Sequence, residues 1–247
     1  MSQFQTFGLD ERIVESIQAL GFEEATPIQE ACIPVLLEGR DIIGQARTGS
    51  GKTAAFGLPM LEHVKNNPKG VKALVLTPTR ELALQVTEAL QSYSKALRVR
   101  MVTVYGGAPY PPQLKALKKG VSIVVGTPGR VLDHIERGSL DLSGLELLVL
   151  DEADEMLRMG FLEAVETVLA STPADRQIAL FSATMPKPIA KVAKKFLNMP
   201  EQILVESDGL SVDHIEQRWL KVPDRHKLNA LVRVLTTERS GGTLVFT

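Results

Sequence analysis

The sequence is short of the residues that crosslink a chain, anchor it in a membrane or give it one dominant charge. It has a single cysteine, Cys32, among 247 residues, so no disulfide can close within it. Cys32 lies among apolar residues of an expected helix and reads as a small buried side chain, in keeping with a reducing compartment. Charge of one sign is missing too, because 28 Lys and Arg face 29 Asp and Glu for a net charge of −1. That balance excludes a global basic field, and any contact with nucleic acid must rest on local groups. No apolar run is long enough to cross a bilayer, and the N-terminus lacks the apolar core of a signal peptide, so a cytoplasmic protein is expected. His63, His134, His214 and His226 show no metal-ligand spacing and are expected on the surface or on helix faces. What is present, 44% hydrophobic and 23% charged, is enough to build a large core in a globular protein.

The stretch Asp41 to Thr53 organises the rest. A β-type segment, Asp41 to Gln45, feeds Ala46-Arg47-Thr48-Gly49-Ser50-Gly51-Lys52-Thr53, and an apolar helical run continues from Ala54 to Leu61. Gly49 and Gly51 allow a tight turn whose N–H groups point inward, and the helix that follows adds its positive dipole end. Lys52 can reach the terminal phosphates of a nucleotide, and the Thr53 hydroxyl can hold Mg²⁺. Ala46 stands where the general phosphate-loop pattern has glycine.

Around this loop the chain alternates. Asp10 caps an expected helix with Ile13, Val14, Ile17 and Leu20 on one face, closed by Gly21, and Thr26-Pro27 opens a second helix that runs to about Leu37. Strands are expected at Lys72–Leu76, Val99–Tyr105, Val121–Val125, Leu145–Leu150, Gln177–Phe181 and Gln202–Val205. Helices are expected at Arg80–Leu97, Gln113–Lys119 after a stiff proline entry, from Thr127-Pro128-Gly129-Arg130 onward, and at Pro188–Leu197. The strands are too apolar for one wet face, which indicates an α/β fold with a parallel sheet covered by helices on both faces. In that architecture ligands sit at the carboxyl ends of strands, where each unusual polar tripeptide or tetrapeptide of this chain falls. Beyond Glu206 a linker over residues 206–213 leads to a strand at His214–Val222, a helix at Arg225–Thr237 and a last strand from Thr243 to Phe246. This reads as a first domain over residues 1–205 and a truncated start of another over 214–247.

Asp151-Glu152, at the end of an apolar strand, complements Lys52-Thr53. One carboxylate, assigned to Asp151, can hold Mg²⁺, while Glu152 orients or deprotonates an attacking water. Strand-end acidic pairs are also found as ordinary solvated turns. No arginine is placed as a finger on the transferred phosphoryl group.

Taken together, the motifs resemble the N-terminal half of a DEAD-box RNA helicase. Asp151-Glu152-Ala153-Asp154 is joined, in order along the chain, by Gly21-Phe22 with Thr26-Pro27-Ile28-Gln29, Ala46 to Thr53, Pro78 to Ala83, Gly106-Gly107, Thr127 to Arg130, and Ser182-Ala183-Thr184. Ala46 is what this family shows at that place. The resemblance implies a RecA-like P-loop domain that binds ATP and Mg²⁺, with Gln29 reading the adenine edge through its amide and Phe4 against the base. Phe7 competes with Phe4 for that place, and the bland alternative for Gln29 is an exposed residue in a first helical turn. It further implies that Thr79, Arg80, Gly107, Thr127, Pro128, Gly129 and Arg130 line an RNA-backbone track, although Thr-Pro pairs also simply cap helices and these arginines could pair with acids such as Glu81. Ser182 and Thr184, with Asp154, would couple the ATP site to RNA. The implied activity is RNA-stimulated ATP hydrolysis with local duplex unwinding, completed by a second RecA-like domain absent from this chain. An ATP-dependent RNA clamp or scaffold is the alternative. A GTPase would carry an Asn-Lys-x-Asp motif, which the sequence lacks. Protein partners are not indicated.

Overall fold

A computed structural model of the chain describes residues 3–66, 69–205, 218–237 and 242–245. Strands β1 (Ile42–Gln45), β2 (Ala73–Leu76), β3 (Met101–Val104), β4 (Ile123–Gly126), β5 (Leu147–Leu150), β6 (Gln177–Ser182) and β7 (Glu201–Leu204) form one sheet in the order β3-β4-β2-β5-β6-β1-β7. Every pairing is parallel. All carboxyl ends therefore share one rim.

Two cores, one on each face, explain why β2, β4 and β5 are buried at every position. Ala73, Val75, Ile123, Val125, Leu147 and Val149 pack into the core that holds α1 (Glu11–Gln18), α2 (Pro27–Leu37), α3 (Lys52–Val64) and α4 (Arg80–Tyr93). The alternate residues, Leu74, Leu76, Val124, Leu148 and Leu150, pack on the other face. That face is covered by α5 (Tyr110–Lys118), α6 (Pro128–Glu136), α7 (Ala153–Arg158), α8 (Leu162–Ala170) and α9 (Lys187–Phe196). A one-residue slip would exchange the two sets, and burying each such side chain contributes about 1.5–3 kcal/mol, so the register is firmly set. Buried Asp41 ties the opposite ends together. Its Oδ1 accepts from the Ile178 N–H at 2.7 Å and its Oδ2 from the Asn198 N–H at 2.7 Å.

Several element bounds differ from expectation, each for a local reason. α1 stops at Gln18, so Leu20 leaves its apolar face and is 42% exposed. α4 stops at Tyr93 instead of Leu97, and the chain turns at once, with the Leu97 N–H donating to the Ser94 carbonyl at 2.8 Å. α5 begins at Tyr110 and takes Pro111 and Pro112 into its first turn, where a missing N–H leaves no bond unmade. β4 reaches Gly126, whose bare Cα is required: a Cβ there would lie 2.4 Å from the Val104 carbonyl oxygen. Helices α7 and α8 have no counterpart in the sequence reading.

The chain divides into a unit over Met1–Glu206, which holds the sheet, and a unit over Ser207–Thr247. The expected linker at 206–213 and the first residues of the expected strand at His214–Val222 lie outside the described residues, as does Phe246. The remainder of that strand, and Thr243 to Val245, form no ladder among the described residues. In this second unit a short turn at Asp224–His226 leads into α10 (Lys227–Thr237). None of the α10 residues is buried, and Trp219 is 84% exposed.

Candidate functional site

The loop after β1 turns at Gly49 (φ +82°) and Gly51 (φ +95°), in the left-handed region that side chains disfavour, and α3 starts at Lys52. Gly51 is doubly constrained, since a Cβ would meet Gln29 Nε2 at 2.5 Å. Gln29 is buried, accepts from the Thr26 N–H at 3.0 Å and donates to the Gly51 carbonyl at 3.1 Å. It fastens α2 to the loop instead of projecting from a first turn into solvent. Arg47, Thr48 and Gly49 are exposed, Ser50 and Thr53 half-buried, and Ala46 buried. Lys52 is buried, and its Nζ donates to the Ala46 and Arg47 carbonyls, both at 3.0 Å.

In the sheet β6 separates β5 from β1, which brings Asp151 towards Lys52. Asp151 is 3% exposed. Burial pushes its carboxyl up to about 7 against the opposing pull of Lys52, and the charge of Glu152 adds to the rise. Its Oδ1 has no hydrogen-bond partner, and neither has the buried Ser50 Oγ. Glu152 sits at φ 56°, ψ 53°, a left-handed conformation that costs a non-glycine residue of order 1–3 kcal/mol and is concentrated at functional sites. Beside them the Thr184 N–H and hydroxyl donate to Asp154 Oδ2 at 3.0 and 2.7 Å. The Ser182 Oγ accepts from the Asp154 N–H at 3.2 Å and donates to the Thr184 carbonyl at 2.6 Å. Burial raises the Asp154 carboxyl, but these bonds outweigh it and hold the group below its ordinary value.

The other half of the rim, above β3, β4 and β2, gathers the remaining polar motifs. The Thr79 hydroxyl accepts from the Leu82 N–H at 3.2 Å and caps α4. Exposed Arg80 lies with its guanidinium carbon 5.0 Å from the centre of the Tyr105 ring. Gly107 turns at φ +78°, and the Gly106 N–H donates to Thr127 Oγ1 at 3.4 Å. Thr127 and Pro128 are buried, Gly129 is exposed, and the Arg130 Nη1 donates to the Ala108 carbonyl at 3.2 Å. Neither arginine pairs with Glu81 among the described contacts; the acid nearest Arg130 is Asp133, at 3.9 Å.

Phe4 is fully buried, its ring edge-on to Phe7 and Phe22, and Phe7 is half-buried. His134, expected on the surface or on a helix face, lies on the buried face of α6 and stacks on Tyr110 with ring centres 4.4 Å apart. Its position three residues after buried Val131 on α6 was the available signal. Tyr105 and Tyr110 beside the two arginines carried no signal in the sequence.

Fold and rim together define a RecA-like α/β domain. Residues 26–192 match the DEAD/DEAH box helicase family. Over 246 residues the chain is 51% identical to an ATP-dependent RNA helicase CshA of Listeria monocytogenes, covering 100% of this chain and 47% of that protein. It is 50% identical to an ATP-dependent RNA helicase DeaD of Buchnera aphidicola, covering 99% and 41%. A crystal structure of a DEAD box protein from the hyperthermophile Methanococcus jannaschii superposes with a TM-score of 0.79 at 45% identity, covering 92% of this chain and 61% of that one. The chain belongs to the DEAD/DEAH box helicase family, and it spans about half the length of the curated relatives it matches.

Proposed function

We propose that this chain is the ATP- and magnesium-binding half of an RNA helicase that couples ATP hydrolysis to RNA binding and local strand separation. The observation that carries the reading is buried Asp151, with an unpartnered Oδ1, within electrostatic reach of Lys52 on the loop after β1. A buried carboxylate without a partner is costly unless a cation or donor completes it. An all-oxygen set, Asp151 and the Thr53 hydroxyl, suits magnesium held by few protein groups, and no cluster of three acidic, His or Cys side chains competes for it among the described residues. Magnesium, when bound, would neutralise charge on the phosphate oxygens. The N–H groups of Gly49 to Gly51 and the start of α3 would cradle the phosphates, and Lys52 would exchange its carbonyl partners for the terminal ones. Glu152 would orient the attacking water and accept its proton. Gln29 retains one N–H and one lone pair for an adenine edge.

Thr79, Arg80, Gly107 and Thr127 to Arg130 would contact RNA through phosphates and sugars, which positions a strand without reading its sequence. Asp154, Ser182 and Thr184 would link the two halves of the rim. Residues 1–205 would form one domain and 214–247 begin a second, joined by 206–213; the break between the two units at Glu206 and Ser207 supports this. The names of the relatives support RNA as partner. The cytoplasm is the location proposed, and no helix among the described residues is long and apolar enough to cross a membrane. The chain alone would hydrolyse ATP slowly and open no duplex, because among the described residues no arginine is placed as a finger on the transferred phosphoryl group. RNA-stimulated ATP turnover is measured on this chain and on a version extended through the second domain. Turnover is expected only in the extended protein, and robust turnover by this chain alone would overturn the reading.

A further inference from the structure

Two polar side chains, His134 and Gln113, are buried between α5 and α6, away from the phosphate loop, and the proposed mechanism uses neither. His134 is fully buried and Gln113 is 5% exposed. The Gln113 Nε2 faces the Tyr105 and Pro109 carbonyls at 3.4 and 3.3 Å, so its Oε1 must be the acceptor at 3.2 Å from His134 Nε2. That sets the histidine tautomer: Nε2 carries the proton, and Nδ1 accepts from the Ser139 hydroxyl at 2.8 Å. The Ser139 proton is shared with the His134 carbonyl at 3.0 Å, and the Tyr110 hydroxyl, 3.3 Å away, donates to the same serine oxygen. The relay thus runs from the Tyr105–Pro109 loop, which carries Gly106 and Gly107, through α6 and back to Tyr110.

Arg130 is held at the end of this relay. Its guanidinium carbon lies 5.4 Å from the Tyr110 ring centre, and its Nη1 donates to the Ala108 carbonyl inside that same loop. Asp133 is bonded to Arg137 at 2.6 Å and lies 3.9 Å from Arg130, so no tight ion pair cancels the Arg130 charge. Apolar side chains would fill this space more cheaply; a fully partnered polar relay instead defines one arrangement. Burial, with Arg130 and Arg137 nearby and Asp133 opposing them, lowers the His134 imidazole below its ordinary value, in the direction that favours the neutral ring of the relay.

We propose that Tyr110 and His134 are positioning residues for RNA-backbone binding, holding the Arg130 guanidinium and the Gly106-Gly107 loop in a single arrangement at the rim. This rests on the RNA reading of that rim. A guanidinium held beside the Tyr110 ring, which Arg137 also approaches at 5.0 Å, and by the Ala108 carbonyl is pre-oriented and loses less freedom on meeting a phosphate than a mobile one.

Binding of a fluorescein-labelled single-stranded oligouridylate to this chain tests it. Arg130→Ala is expected to weaken binding about tenfold, and Tyr110→Leu and His134→Leu each about three- to tenfold. Tyr110→Phe keeps the ring and is expected to stay within about twofold. Added to Arg130→Ala, Tyr110→Leu and His134→Leu should each weaken binding by less than they do alone, because part of their effect runs through that arginine. The Arg130 Nε–Hε resonance should move towards its free position in Tyr110→Leu and not in Tyr110→Phe. A loss in Arg130→Ala with wild-type affinity in Tyr110→Leu and His134→Leu, or equal losses with and without Arg130, overturns the positioning role alone. Wild-type affinity in Arg130→Ala overturns the RNA reading and this proposal with it. Melting temperatures accompany every variant, and if Tyr110→Leu does not fold, the His134→Leu and Arg130→Ala cycle decides the question.

Discussion

The Thr184 hydroxyl donates to Asp154 Oδ2 at 2.7 Å, joining the end of β6 to the first turn of α7 across the rim. The same carboxylate oxygen takes the Thr184 N–H, so one acid holds a whole strand-end loop. Thr184→Val removes a charge-assisted bond and should destabilise the unit by about 1.5–3 kcal/mol. If the network couples the two halves of the rim, the extended protein should keep basal ATP turnover and lose its stimulation by RNA. Thermal melts and turnover with and without RNA check both parts.

Asp151 makes stability depend on pH. Its carboxyl is raised from 3.8 to about 7, so between those values the folded chain keeps a proton that the unfolded chain has released. Stability from this group is therefore full below the lower value, falls as pH rises, and is lost above the higher one. Asp151→Asn should raise the melting temperature above about pH 7 by roughly 2–4 °C per kcal/mol relieved, and leave it unchanged near pH 3. Melts across that range, without nucleotide or metal, measure it.

Lys52→Gln keeps a donor for the Ala46 and Arg47 carbonyls and removes the charge. Affinity for a fluorescent ATP analogue should fall about ten- to a hundredfold, while the melting temperature changes little. Because Lys52 opposes the rise at Asp151, the Asp151 carboxyl should move higher still in this variant, visible by NMR titration of that side chain.

Glu152 carries backbone strain that glycine would relieve. Glu152→Gly should stabilise the chain by about 1 kcal/mol, the strain removed less the entropy of the freer unfolded residue. If Glu152 accepts the proton of the attacking water, ATP turnover of the extended protein should drop by about 10²–10⁴. Denaturant melts and steady-state turnover should thus move in opposite directions.

How much of this was legible in the sequence follows from how local each signal is. Gly49 and Gly51 were readable because a tight turn between a strand and a helix needs residues that tolerate positive φ. The two-faced burial of β2, β4 and β5 was readable because their residues are apolar at every position. The placement of β6 between β1 and β5, which brings Asp151 towards Lys52, rests on pairings between distant segments and leaves no periodic trace. The burial of His134 depends on α5 arriving above it, and the left-handed Glu152 on the turn from β5 into α7; neither side chain signals this by its type. Phe4 and Phe7 were equivalent as letters, and only packing against Phe22 separated them.

Lys52 is already engaged before any ligand arrives, since its ammonium bridges two carbonyls of its own loop. A phosphate that binds here must first unlatch that clasp, so its measured affinity reports the difference between two sets of bonds and understates the strength of the new one. The same clasp gives the buried ammonium two oxygen partners in place of water.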